Sequence, residues 1–346
     1  MMRKIARALI MIVFCLLSLV TPLNADNSAV VLLYHRFAED GYPSTNIRTE
    51  QFESHLAQLK AGGYNFMSVA QAVDQMKQGA VFPSRTVIIT VDDAYKSVVD
   101  TGWPMMKAAG VPFTLFVSTD PVDAGHGNYM NWNDVRRLAV EGVDIGHHTA
   151  SHLHMVAAGL EVAMADVRKA SERFNAELGA IPKIFAYPYG EYNLEMAAAI
   201  EKEGFTAAFA QYSGPIASWV NKFALPRFPV NERYGDIGRF KLVSQALALP
   251  ITDLIPQNPM LSDTTNPPLL GFTVEQEVGN LQAMACYPSH LGKAAELSVI
   301  NGRRVEVRFE KPFPRGRNRI NCTMPAGKGR WYWLGQFYLR PGGRLD

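Results

Sequence analysis

Short runs of β-branched and aromatic residues recur along the first two thirds of the chain, at residues 30–34, 64–69, 86–91, 112–118, 143–146, 184–187, 206–210 and 223–228. Stretches with helical spacing lie between them, including residues 49–61 and 68–78. The second opens with Ser68 and Gln71, a capping-box pattern in which each side chain takes a backbone N–H that the first turn leaves unbonded. Glycines close helical stretches just before the next run, at Gly62-Gly63, Gly110, Gly142, Gly179 and Gly204, as a left-handed terminal residue would require. Strands that alternate with helices imply parallel strands joined by right-handed crossovers, and so an α/β layered sheet or barrel.

The pattern changes at Pro250. Proline at 250, 256, 259, 267 and 268 predicts an extended linker over residues 250–270, since proline neither continues a helix nor donates to a central ladder. The α/β domain then occupies residues 26–249. Beyond the linker, alternating runs at 296–300, 304–309 and 331–339 are separated by Asn301-Gly302, Pro314-Arg315-Gly316 and Pro325-Ala326-Gly327. Asn-Gly between two such runs signals a hairpin, so residues 271–346 are expected to form a small all-β, sandwich-like domain. Its aromatic residues Trp331, Tyr332, Trp333, Phe337 and Tyr338 suit either a core or a stacking surface for sugars.

The first 25 residues stand apart. Arg3, Lys4 and Arg7 precede an apolar stretch from Ala8 to Val20, and small residues follow up to Ala25. These are the parts of a secretory signal peptide, with cleavage expected after Ala25 and no membrane span left afterwards, an uncleaved membrane anchor being the main alternative. A periplasmic or secreted protein is implied. Of 34 basic and 32 acidic side chains, three basic ones lie in that leader, so the remainder is close to neutral. Such a balance lacks the clustered basic face that nucleic acid requires, and nucleic acid is not expected as a partner. Cys15 leaves with the leader, and an oxidising compartment predicts that Cys286 and Cys322 bond to each other.

Candidate chemistry gathers at the ends of the predicted strands. Asp92-Asp93 ends one, His147-His148 a second, Tyr187-Pro188-Tyr189-Gly190 a third and Tyr34-His35-Arg36 the first. In a parallel α/β domain these carboxyl ends share one rim, where functional side chains collect. Singly, each cluster has a structural explanation, such as helix capping by aspartate or a turn at Tyr-Pro-Tyr-Gly. Jointly they do not. His148 and His152, four positions apart, can face one side of a helical turn, and imidazole with carboxylate is the ligand set of a catalytic zinc site that leaves a position open for water. The residues point to a metal-dependent hydrolase.

Thr90-Val91-Asp92-Asp93, His148-Thr149-Ala150-Ser151-His152 and Phe185-Ala186-Tyr187-Pro188-Tyr189-Gly190, in this order, resemble the first three motifs of the polysaccharide deacetylases, the family of nodulation-type chitooligosaccharide deacetylases. The resemblance spans roughly residues 30–228. It implies a distorted (β/α) barrel of about seven parallel strands that removes N-acetyl groups from a glycan with a divalent metal, usually Zn2+. Carried over by position, it makes Asp93, His148 and His152 the metal ligands, Asp92 the general base and the backbone N–H of Tyr189 an oxyanion donor. Tyr187 and Tyr189 are also candidates to pack on a sugar face.

Two departures stand out. Many relatives begin the third motif with an arginine that pairs with the base, where this chain has Ala186; Arg227 is the candidate to supply that charge from a neighbouring strand. Relatives also carry a late histidine as general acid, and none occurs between Phe228 and Pro250. His35 is the candidate replacement, its alternative being a hydrogen bond to a metal ligand. His147 and His154 are read as structural or solvent-facing, and His290 is set aside. Besides a glycan N-deacetylase, the residues admit an amidase for a non-sugar amide or a catalytically idle glycan-binding protein.

Overall fold

The computed structural model of this protein describes residues 25–79, 81–275 and 278–342, so the expected leader lies outside the described residues except for Ala25. Seven strands form one parallel sheet: β1 (Val30–Tyr34), β2 (Thr86–Asp92), β3 (Phe113–Val117), β4 (Asp144–His147), β5 (Ile184–Ala186), β6 (Ala207–Phe209) and β7 (Phe228–Pro229). Their order is β6-β5-β4-β3-β2-β1-β7, with Asn65–Phe66 paired to the start of β2. Every residue of β1 and β2 is buried, as expected of strands covered on both faces. The sheet curls: Leu225 N–H donates to Ala208 O and Ala210 N–H to Leu225 O, so the segment leading into β7 hydrogen-bonds to β6 at the other end of the order. This is the expected distorted barrel.

Local signals act as their chemistry requires. Helix Thr49–Ala61 buries Phe52, His55, Leu56 and Leu59, and helix Val69–Lys77 carries the reciprocal Ser68–Gln71 cap. Two strand expectations shrink. The run at 64–69 yields only Asn65–Phe66, because Ser68 already caps the next helix, and the run at 223–228 is ladder-paired as β7 only from Phe228, after Pro226 has removed a donor. The register decides the function. Asp92 lies opposite Phe116, Val117 opposite His147, His147 opposite Phe185 and Ala186 opposite Phe209, so the motif-bearing ends of β2, β4 and β5 meet at one level.

Apart from two short two-stranded pairings, Ala25–Asp26 with Phe82–Pro83 and Arg36–Phe37 with Asn46–Ile47, the remaining strands are β8 (Leu247–Ala248), β9 (Ile251–Ile255), β10 (Leu270–Val274), β11 (Ala285–Pro288), β12 (Glu296–Ile300), β13 (Arg304–Arg308), β14 (Gly316–Gly327) and β15 (Arg330–Arg340). They make two four-stranded sheets, β8-β15-β14-β11 and β9-β10-β13-β12, with Phe272, Val305 and Val307 of one sharing a core with Ile320, Cys322 and Tyr338 of the other. The stretch expected to be a linker is corrected here. β9 lies inside it and pairs antiparallel with β10, while β8 pairs with β15 before Pro250 is reached. The prolines permit this because Pro250, Pro256, Pro259, Pro267 and Pro268 all sit outside the strands, where no ladder donor is needed. The Asn301-Gly302 hairpin forms between β12 and β13. Phe337 and Tyr338 are core residues, and Trp333 packs edge-on against Phe228 of the barrel at 5.0 Å.

Cys286 and Cys322, opposite one another in β11 and β14, are disulfide-bonded across 36 residues of sequence. Closing a loop of that size restricts the unfolded chain, so a Cys286→Ala/Cys322→Ala variant is expected to lose about 2–4 kcal/mol of unfolding free energy. Urea denaturation with and without reductant checks this; coincident curves would mean that the sandwich does not depend on the bond.

Candidate active site

β2 remains in register to Asp92, after which Asp93 turns to φ 76° while its N–H still donates to Phe116 O at 3.0 Å. Consecutive residues of a regular strand would send their side chains to opposite faces. The left-handed residue removes that alternation, and both carboxylates approach His148 Nε2, Asp93 Oδ1 at 3.4 Å and Asp92 Oδ2 at 4.0 Å. Half of the left-handed non-glycine residues among those described, Asp93, Ala94, Thr149, His152 and Tyr189, fall in this rim. Each costs about 1–3 kcal/mol and persists only where its surroundings hold it.

The two metal-candidate histidines do not share a helical turn. Thr149 at φ 66° and His152 at φ 57° break any helix, and the segment is instead pinned from outside. Asp166 accepts from Ala150 N–H at 2.8 Å and Ser151 N–H at 3.1 Å, and Ser118 Oγ donates to His148 O at 2.7 Å. His148 Nδ1 stands 2.7 Å from Ala186 O. A carbonyl only accepts, so Nδ1 carries a proton, and in the neutral imidazole that a metal ligand requires the Nε2 lone pair faces the carboxylates. One ligand atom from each of Asp93, His148 and His152 lies within 4.8 Å of the other two. Asp93 Oδ1 is buried with no hydrogen bond, although His152 Nε2 is 3.2 Å away. An unsatisfied buried acceptor costs about 1–3 kcal/mol, and lone pairs converging on one point suit a divalent cation.

Asp92 has a different partner. Arg227, fully buried, donates from Nη1 to Oδ1 at 2.7 Å and from Nη2 to Oδ2 at 2.8 Å, while its Nε donates to Ala210 O at 3.2 Å. The expected cation is therefore beside the expected base, from the segment entering β7, and Ala186 leaves its carbonyl to His148. Burial pushes the Asp92 carboxyl up, but the charge and hydrogen bonds of Arg227, with His148, outweigh it and hold the carboxyl below its ordinary range. Burial likewise raises Asp93, and His152 and His148 overcompensate, leaving it well below that range. His35, partly buried after β1, has its pKa lowered by burial, against the opposing pull of Asp93 and Asp92.

Tyr189 lies in the turn after β5 at φ 59°, with the His154 ring stacked on its own at 3.7 Å. Tyr187 is not available to a sugar: it is buried and its hydroxyl donates to Phe223 O. His147 is structural, packed among Phe174, Phe185 and Phe205 and pushed down to about 3 by burial. His154 is more than a flank, since its Nδ1 is 2.9 Å from the buried carboxylate of Glu191. Glu191 and Arg317, whose Nε is 3.7 Å from Glu191 Oε1, were not singled out in the sequence. Adjacency to Gly190 is a signal for Glu191; none exists for Arg317, which arrives from β14.

A curled parallel sheet with a two-histidine, one-carboxylate cluster beside a second, cation-paired carboxylate defines a barrel with a candidate metal-centred hydrolytic site. Residues 80–208 match the family model described as polysaccharide deacetylase, and the chain carries a polysaccharide deacetylase domain. YxkH of Bacillus subtilis is 24% identical over 201 residues, 58% of this chain and 71% of that protein. The poly-β-1,6-N-acetyl-D-glucosamine N-deacetylase of Staphylococcus epidermidis is 24% identical over 234 residues, 59% of this chain and 80% of that protein. Among solved structures, the Streptococcus pyogenes deacetylase PplD in complex with acetate superposes with a TM-score of 0.57 at 17% identity, covering 62% of this chain and 96% of that one. IcaB from Ammonifex degensii gives 0.55 at 22%, covering 63% and 97%. These structural likenesses establish the fold.

Arg227→Ala is expected to destabilise the protein by about 3–5 kcal/mol, because it strands a buried carboxylate. The pH dependence follows from the lowered Asp92 value: its contribution to stability is full above an unfolded pKa of about 3.9 and is lost as pH falls through the lower folded value. In Arg227→Ala the carboxyl protonates at higher pH, so loss of activity on acidification begins earlier. Melting curves and acid-limb rates for both proteins check this, and identical limbs would contradict it.

Proposed function

We propose that this protein is an exported, metal-dependent N-deacetylase of N-acetylated glycans, with polymeric N-acetylglucosamine as the substrate class that the staphylococcal relative suggests. The observation that carries this reading is the division of labour between adjacent carboxylates. Asp93 turns toward His148 and His152 with an unsatisfied oxygen, while Asp92 is gripped by Arg227 and kept out of that cluster. Asp93, His148 and His152 would hold the cation, most simply Zn2+. When bound, such a cation lowers the pKa of water toward about 7 and polarises the acetamide oxygen.

The chain's own residues supply the rest. Asp92, kept ionised by Arg227, accepts the proton of the water that attacks the acetamide carbon. The backbone N–H of Tyr189 donates to the oxygen on which negative charge develops. His35 gives a proton to the departing amine as the C–N bond breaks, which yields acetate and a free amino sugar. Burial lowers its pKa, which strengthens it as an acid and confines its protonated form to lower pH. Export rests on the leader pattern of residues 1–25 and agrees with the Cys286–Cys322 bond. Among the described residues no helix is long and apolar enough to cross a membrane.

Purified protein is expected to release acetate from N-acetylglucosamine oligomers, to lose that activity on chelation and to regain it with zinc. Asp92→Asn should lower kcat on the order of 10²–10⁴-fold, the range of general-base removal, with metal still bound. His148→Ala should instead fail to retain metal. Metal bound stoichiometrically without acetate from any glycan would redirect the reading to another amide, and no metal bound at all would favour a binding protein.

A further inference from the structure

We propose that Arg317, from the β-sandwich, is a positioning residue of the catalytic turn, so that the two domains build one active site. The inference rests on the role given above to the backbone of Tyr189. That residue occupies a left-handed conformation without being glycine, between Pro188 and Gly190, and such a turn needs external support. Arg317 supplies it at three points. Its Nη1 donates to Tyr189 O at 3.4 Å, its guanidinium lies 5.4 Å from the centre of the Tyr189 ring, and its Nε is 3.7 Å from Glu191 Oε1. Glu191 is buried with that oxygen otherwise unbonded, and its other oxygen meets His154, which stacks on the opposite partner, the Tyr189 ring. With carbonyl and ring both held, the Tyr189 Cα is anchored from both sides, which restricts the turn that carries the N–H.

The grip is repeated two residues along. Arg319 shares a face of β14 with Arg317, as strand periodicity requires, and its Nε donates to Gln211 O at 2.9 Å. Gln211 follows β6, and its backbone abuts the catalytic turn: a Cβ on Gly190 would stand 2.3 Å from Gln211 N. One strand of the sandwich therefore holds the ends of β5 and β6 through adjacent same-face arginines. Close docking of β15 keeps that strand in place, since a Cβ on Gly335 would collide with Ser213 O.

The test compares full-length wild type with Arg317→Ala and Arg317→Gln by kinetics, melting and amide hydrogen exchange over residues 187–191. Expected are faster exchange confined to that turn, a modest fall in melting temperature as Glu191 loses its cation, near-unchanged KM, and a fall in kcat approaching the order of 10²-fold that a misplacement of about 1 Å produces. Added guanidinium should restore part of the kcat of Arg317→Ala. Unchanged exchange with unchanged kcat overturns the proposal, as does a general loss of melting temperature and metal in both variants, which would assign Arg317 to folding alone. The exchange measurement is independent of the reaction. If the wild type releases no acetate, faster exchange in the variants still supports the clamp while the proposed activity falls, and unchanged exchange removes the clamp.

Discussion

Two ionised carboxylates on consecutive residues are buried at the end of β2, and much of the rim follows from what that demands. Like charges so close cannot both stay ionised out of water without separate compensation. The left-handed turn at Asp93 keeps both near His148 yet lets each take its own partner, Arg227 for Asp92 and the two imidazoles for Asp93. These partners come from distant parts of the chain. They converge because the parallel register brings the ends of β2, β4 and β5 to one level and the segment before β7 curls back beside β6.

The division has a chemical consequence. A carboxylate held by two guanidinium hydrogen bonds stays ionised and oriented without being drawn into the imidazole cluster, whereas one with an unsatisfied oxygen among imidazole lone pairs is suited to bind a cation. Neighbouring identical side chains thus acquire different roles from their backbone conformations and their partners alone. Ala186, where the resemblance implies an arginine, contributes only a carbonyl, which accepts from His148 Nδ1. The cation beside Asp92 is Arg227, past the end of the family match at residue 208.

The β-sandwich is not a detached appendage of this barrel. β8 joins its sheet soon after helix Ile237–Val243, Trp333 packs on Phe228, and Arg330 pairs with Asp26 near the start of the described chain. The arginines of β14 reach the strand-end turns from the same side. Such docking gives strained turns a rigid backing, which a rim built of left-handed residues requires.

The sequence by itself determined a parallel α/β domain, the all-β C-terminal part and the three motifs of the rim, all written in local terms: residue periodicity, capping side chains, turn glycines and fixed spacings. The barrel followed from the family resemblance, and the pairing of the cysteines from the compartment that the leader implies. The sequence also nominated Arg227, from the absence of an arginine at Ala186. Other features depended on contacts between distant segments. The spacing of His148 and His152 suggested a helical turn, but Asp166 and Ser118 impose another conformation. Prolines near 250–270 suggested a linker, but each lies outside a strand, so β9 and β10 pair. Tyr187 looked available to substrate, but its hydroxyl is used inside the core. Glu191, His154 and Arg317 meet only because β14 is brought against the turn after β5. Local spacing fixes which faces and ends a segment presents; which distant charge or carbonyl completes them is decided by register and docking, and only the tertiary structure carries that.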